Sequence, residues 1–289
     1  MFAEDRSPSE TEAVDALDHD SWFARPVGYR LGRLVCLSDG LGHTMPYRLF
    51  LPPGYDTPGA QFPLVLFMHG AGERGSDNVS QVNSHIDGLV AATQTTHPAF
   101  LLAPQVPSSQ QWVNVPWSAG SYAVAPAQSP SMQITMKILQ DVIADYNVDT
   151  HRLYATGLST GGFGAWDVIS RYPPTFAAAV PMSGGGCVNS APPIANIPVW
   201  AFHGSADGTV PVSGSRDMIN ALNAAGGHPL YTELAGQGHV IWAPIYNDPA
   251  NTLYPWLFSQ STPEPATLSL LALGALPLLG RRRTRPSQT

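Results

Sequence analysis

The sequence predicts an α/β protein built on a doubly wound, mostly parallel sheet without a large cap domain. Short apolar runs recur at 63–68, 100–103, 153–156, 177–182, 199–202 and 230–234, and helical patterns lie between several of them. The run at 63–68 is apolar at every position. A strand covered on both faces needs apolar side chains on both, the usual state of a parallel sheet flanked by helices.

Residues 29–36 and 45–51 read as strands, the second ended by Pro52-Pro53-Gly54, and look like an opening antiparallel pair. The run at 63–68 stops at His69-Gly70. The clearest helix covers 132–146, with Ile134, Ile138, Val142 and Ile143 at helical spacing, and it feeds a strand at 152–156. A second helix is expected from about Gly161 to Tyr172, stopped by Pro173-Pro174, and a third over 213–225 before Gly226-Gly227. Only about sixteen residues, rich in Gly and Pro, separate the runs at 177–182 and 199–202, too few for a large lid.

A length of 289 residues suits one large domain, here 28–260, with a tail at each end. Residues 1–27 are crowded with Glu4, Asp5, Glu10, Glu12, Asp15, Asp18 and Asp20, bury little, and are expected to be disordered. No basic start followed by an apolar stretch is visible there, so no secretory signal peptide is read. The net charge of -7 excludes nucleic acid as a partner, because phosphate backbones need a basic footprint and the basic run Arg281, Arg282 and Arg283 lies outside the domain. The two cysteines, Cys36 and Cys187, make no disulfide framework and leave their pairing open. No zinc-type Cys/His spacing occurs, and neither a metal nor an organic cofactor is expected.

Gly157-Leu158-Ser159-Thr160-Gly161 carries the chemistry. It matches the elbow in which a tight strand-to-helix turn exposes a nucleophilic serine at the carboxyl edge of a sheet, and its strand and helix flanks agree. A serine hydroxyl becomes an effective nucleophile when an imidazole takes its proton and a carboxylate orients that imidazole. Asp207 lies just past the run at 199–202, and His239 follows the run at 230–234, giving the chain order Ser, Asp, His that accompanies this elbow. Asp167 and Asp217 fall inside helices and are poorer acids, while His69 and His203 read as loop-organising residues. The backbone N–H groups of Ala71, in His69-Gly70-Ala71-Gly72, and of Thr160 are the expected oxyanion donors. Glu73 and Arg74 are expected to pair and shape that loop. Trp242, Trp112 and Trp117 are candidates for an aromatic subsite.

With these residues in view, the stretches from Leu66 through His69-Gly70-Ala71-Gly72-Glu73-Arg74 to Gly75, Ala103-Pro104-Gln105, 154–166, 198–207, Gly238-His239 with Trp242, and Tyr254-Pro255-Trp256-Leu257-Phe258 show a likeness. Over 47–260 the chain resembles the predicted-peptidase and carboxylesterase branch of the α/β-hydrolases, near feruloyl esterases and polyhydroxyalkanoate depolymerases. The resemblance implies the same triad and oxyanion positions, and hydrolysis of carboxylic esters of aryl, feruloyl or polyester type. Thr160 stands where that group commonly carries Met, which leaves the backbone donor intact and bears on the acyl pocket. A serine peptidase of the same fold is the alternative, and a non-catalytic surface binding protein is a third reading.

The tail, 261–289, holds Pro263-Glu264-Pro265, an apolar stretch over 266–279 and the three arginines. Its apolar length of about fourteen residues is short of the roughly twenty that span a bilayer, so it reads as a sorting or anchoring signal. It is similar to the PEP-CTERM signal. That likeness implies export to a bacterial envelope, transient membrane association and a sorting protease; a true start upstream of this one or a trimmed chain is expected, ahead of the alternative that the tail is a remnant.

Overall fold

The chain opens its sheet with β1 (Arg33–Ser38) and β2 (Thr44–Phe50), paired antiparallel as the sequence suggested. Strand β3 (Phe62–Met68) follows, then α1 (Asp87–Gln94), β4 (Phe100–Pro104), α2 (Pro130–Asp145) and β5 (Val148–Leu158). The second half runs α3 (Thr160–Arg171), β6 (Ala178–Met182), α4 (Ala191–Ile194), β7 (Trp200–Gly204), α5 (Ser213–Ala224), β8 (Leu230–Leu234), α6 (Trp242–Asn247) and α7 (Leu253–Phe258). The computed structural model describes residues 33–38, 44–248 and 252–263, with side chains from Thr44 onward except that of Ser84. The expectations for 1–27 and for the tail beyond Pro263 lie outside the described residues, as does the side chain of Cys36; Cys187 is a free, buried thiol.

The eight strands form one sheet in the order β1-β2-β4-β3-β5-β6-β7-β8. Strand β2 meets β4 antiparallel, and every pairing from β4 through β3, β5, β6 and β7 to β8 is parallel. This is the α/β-hydrolase fold. The order reverses at β3, whose neighbours β4 and β5 follow it on opposite sides, so a crevice opens beyond the carboxyl ends of β3 and β5. Strand β3 is covered on both faces, since Leu64, Val65, Leu66, Phe67 and Met68 are all buried.

Helix α2 starts two residues before the apolar periodicity does. Ser129 caps it by accepting from the Met132 N–H at 3.0 Å, and Pro130 supplies the first helical residue, where no N–H is needed. Strand β5 starts earlier than its apolar run, because Val148 pairs with Phe62 while Asp149 ties to Arg152 Nε at 2.6 Å and to the His151 N–H. Backbone pairing thus carries a polar stretch that hydropathy alone leaves out. Between β6 and β7 there is only a single 3-10 turn and α4, so no large cap stands over the crevice.

Helix α3 determines the geometry of that crevice. A Cβ on Gly161 would strike the carbonyls of Met68 and His69, and one on Gly162 would strike the carbonyl of Met182. The first turn of the helix therefore rests directly on the main chain of β3 and β6, an approach open only to glycine. Gly161→Ala is expected to cost more than about 2 kcal/mol through overpacking, against less than about 0.5 kcal/mol for Gly208→Ala, whose added methyl meets open space. Urea unfolding of the two variants beside the wild type checks the contrast.

Candidate active site

Ser159 sits between β5 and α3 at φ 55° and ψ -119°, a conformation an L-residue keeps only when its surroundings enforce it. Three hydrogen bonds do so. Its N–H donates to Met182 O at 2.9 Å, and its carbonyl accepts from the N–H groups of Gly162 and Phe163 at 2.8 and 3.2 Å. The hydroxyl is thereby held at the carboxyl edge of the sheet, beside the N-terminus of α3.

Asp207 and His239 come from the turns after β7 and β8, and these turns are stitched to each other. Ser205 N–H donates to Leu234 O at 3.0 Å, Ala206 N–H to Gln237 O at 2.9 Å, and Gly236 N–H to Ser205 Oγ at 2.8 Å. Ser183, at the end of β6, donates its Oγ–H to the His239 carbonyl at 3.0 Å. The result is a continuous relay. His239 Nδ1 lies 2.7 Å from Asp207 Oδ2, and His239 Nε2 lies 2.8 Å from Ser159 Oγ. A carboxylate only accepts, so the neutral ring carries its proton on Nδ1 and turns the Nε2 lone pair to the hydroxyl.

The Asp207 carboxylate is fully buried, and each oxygen is occupied. Oδ1 accepts from the N–H groups of Thr209 and Val210 at 2.8 and 2.9 Å, while Oδ2 takes His239 and stands 3.2 Å from His203 Nε2. His203 Nε2 also faces Val210 O at 3.2 Å. Both of its neighbours are acceptors, so that nitrogen bears the proton and Nδ1 receives the Ser215 hydroxyl at 2.8 Å. Burial holds the His203 pKa below the ordinary imidazole value, which keeps the ring neutral behind the carboxylate.

The opposite wall is the loop after β3. His69 Nε2 accepts from the Val106 N–H at 2.9 Å and Nδ1 donates to Gly70 O at 2.6 Å. Its burial lowers the pKa to about 4. Farther along, Gln105 donates to Glu73 O at 3.0 Å and to Asp77 Oδ1 at 2.8 Å, and accepts from the Asn78 N–H at 2.7 Å. Partial burial would raise the Asp77 carboxyl, but hydrogen bonds from Ser80, Val79 and Gln105 outweigh it and hold it well below the usual range. Sequence reasoning missed this polar knot, whose partners lie about thirty residues apart.

The loop and the relay enclose a cleft of about 250 Å³ lined by Ala71, Ser159, His239, Trp117 and Trp242, with Leu158, Thr209 and Glu73 completing its walls. Trp242 stands edge-on to His239, centroids 5.3 Å apart. Trp112 is not part of the wall. It is buried in the core, donates its indole N–H to His69 O at 2.9 Å and packs against that ring, so it supports the loop from behind. Glu73 and Arg74 do not pair either. Arg74 donates to the carbonyls of Ala71 and Gln110, and Glu73 turns to Asn83 and the cleft. The N–H groups of Ala71 and Thr160, each the first residue of a helical turn, donate no hydrogen bond among the described residues. Asp167 and Asp217 lie in α3 and α5, where Asp167 binds Arg171 Nε at 2.7 Å and Asp217 accepts from Ser121 Oγ at 2.6 Å.

A family model described as Putative esterase matches residues 38–257. The chain belongs to this esterase family. Among solved structures, one titled as a thermostable esterase superposes with a TM-score of 0.71 at 36% identity, covering 80% of this chain and 63% of that one. A probable feruloyl esterase C of Aspergillus terreus is 27% identical over 177 residues, 60% of this chain and 59% of that protein. A poly(3-hydroxyalkanoate) depolymerase C of Paucimonas lemoignei is 28% identical over 129 residues, 44% of this chain and 28% of the depolymerase. The chain spans 21%, 52% and 59% of the lengths of three curated relatives it matches.

The neutral His69 makes stability fall in mild acid. Well above pH 6.5 neither the folded nor the unfolded imidazole is charged and the group contributes no slope. As pH drops toward 4 the unfolded chain binds a proton that the folded one refuses, a loss of up to about 3 kcal/mol. Urea unfolding at pH 7 and pH 4.5 is expected to show a smaller drop in His69→Gln than in the wild type. Equal drops would contradict the buried neutral ring.

Proposed function

We propose that this chain is a serine-dependent carboxylic-ester hydrolase that works through an acyl-enzyme. The observation that carries the reading is the unbroken relay from Asp207 Oδ2 through His239 to Ser159 Oγ, with contacts of 2.7 and 2.8 Å. Membership of the esterase family and a cleft open above that hydroxyl support it.

In this mechanism Ser159 Oγ attacks the ester carbonyl while His239 Nε2 takes its proton. Asp207 fixes the ring and stabilises the imidazolium that forms. Negative charge gathers on the carbonyl oxygen, and the unengaged N–H groups of Ala71 and Thr160, with the N-terminus of α3 behind them, receive it. His239 then gives its proton to the departing alcohol. Water repeats the sequence on the acyl-enzyme, releasing the acid and restoring Ser159. Trp117 and Trp242 supply apolar walls suited to aryl, feruloyl or polyester-type chains, in keeping with the names of the relatives. The catalytic domain is assigned to 28–260. The likeness of 261–289 to a PEP-CTERM signal underlies the further reading of an exported protein that meets the membrane transiently and is released by a sorting protease.

Ser159→Ala is expected to lower kcat on 4-nitrophenyl butyrate by about 10⁴-fold or more, and Asp207→Asn by about 10³ to 10⁴. An ester panel running from nitrophenyl through feruloyl to polyester substrates, beside matched peptide anilides, checks both variants and the reaction class. Wild-type turnover by Ser159→Ala would refute the assignment. Trp242→Ala is expected to raise KM for aryl esters several-fold more than for acetyl esters, a comparison read from the same panel.

A further inference from the structure

Beside the relay the cleft holds one more ionisable side chain among the residues that line it, that of Glu73. Its Oε1 faces Asn83 Nδ2 at 3.4 Å and His85 Nδ1 at 3.9 Å, both long contacts. Its Oε2 accepts no hydrogen bond among the described residues. A methyl group placed on Gly70 would stand 2.8 Å from Leu158 Cδ1, 3.0 Å from Glu73 Oε2 and 3.5 Å from Ser159 Cβ, so the carboxylate and the Ser159 side chain lie around one point of the wall, with Leu158 beside them. The neighbouring Arg74 makes no ion pair with it and donates instead through Nε and Nη1 to the carbonyls of Ala71 and Gln110.

Resting on the ester-hydrolase reading, we propose that Glu73 is a specificity-determining residue that makes this cleft select uncharged or hydrogen-bond-donating esters and exclude esters carrying a carboxylate near the scissile bond. A bound ester must place its carbonyl carbon against Ser159 Oγ, which brings its nearest substituents within reach of Oε2. A hydroxyl or amide N–H there finds a vacant acceptor. A carboxylate there meets a like charge across an open cleft walled by Trp117, Trp242 and Leu158, a repulsion that solvent and salt can reach and screen.

The test compares charged and neutral substrates of similar size, at pH 8, for the wild type and Glu73→Gln. One pair varies the acyl group, methyl butyrate against monomethyl succinate, followed by acid release at constant pH; the other varies the alcohol, the butyrates of 3-carbamoylphenol and 3-carboxyphenol. The readout is the neutral-to-anionic ratio of kcat/KM, which a partly misfolded preparation leaves untouched because it lowers both members equally. In at least one pair that ratio is expected to fall about tenfold in Glu73→Gln, and to fall in the wild type when salt is raised to 1 M. Changes under about threefold in both pairs overturn the assignment of Glu73 alone. A wild type that turns over no ester, with Ser159 inert to a fluorophosphonate, overturns the hydrolase reading and this proposal with it.

Discussion

The seat of α3 on the carbonyls of β3 and β6 constrains everything at the site. With Gly161 and Gly162 pressed against Met68 O and Met182 O, the helix axis can lie in only one place, and Leu158 is still in the ladder with Met182 one residue earlier. The chain must change direction within Ser159 itself, which is why that residue is found at φ 55°. A conformation of this kind costs on the order of 1–3 kcal/mol. It is offset by the three hydrogen bonds of the Ser159 main chain and by the apolar contacts of the helix, whose Phe163, Trp166 and Ile169 are all buried. The tight turn between β5 and α3 leaves the Ser159 side chain at the wall of the cleft.

Sheet order then does for Asp207 and His239 what helix packing does for Ser159. Strands β7 and β8 are parallel neighbours, so their following turns emerge side by side at the same edge, where main-chain hydrogen bonds join them. A buried carboxylate is tolerable only when its oxygens are occupied. Two amides, His239 and the neutral His203 meet that need for Asp207, and they also leave its orientation no freedom. The same contacts that make the charge bearable inside the protein aim it at one ring nitrogen.

The elbow, the two loop positions and the parallel sheet were legible because each depends on local chain text: a glycine frame, an apolar run, a residue just past its end. The start of α2 was written in Ser129-Pro130 as well, although apolar periodicity alone placed it later. Other features depended on contacts between residues far apart in the chain. A tryptophan in a Pro-rich loop suits a cleft or a core equally, and only the His69 carbonyl, more than forty residues away, sends Trp112 inward. Adjacent opposite charges suggest a pair, yet the 3-10 turn at Ala71–Glu73 separates Glu73 from Arg74, and two carbonyls capture the guanidinium. The Asn78 and Gln105 knot had no signature short of the folded strands that bring it together.

That knot and His69 explain how a glycine-rich loop can hold one shape beside Ser159. The loop has few side chains of its own to pack, so its shape is fixed by polar groups reaching in from elsewhere: Gln105 from the end of β4, Val106 N–H beyond it, and Trp112 from the next loop. His69 joins the two systems, since one nitrogen accepts from Val106 while the other donates to Gly70 O. Only a neutral ring with its proton on Nδ1 can do both, because a second proton would set a donor against the Val106 N–H. Burial excludes that proton and so preserves the hydrogen-bonding pattern. The depressed basicity of a residue that never touches the hydroxyl is therefore part of what keeps the loop through Ala71 in place along the cleft.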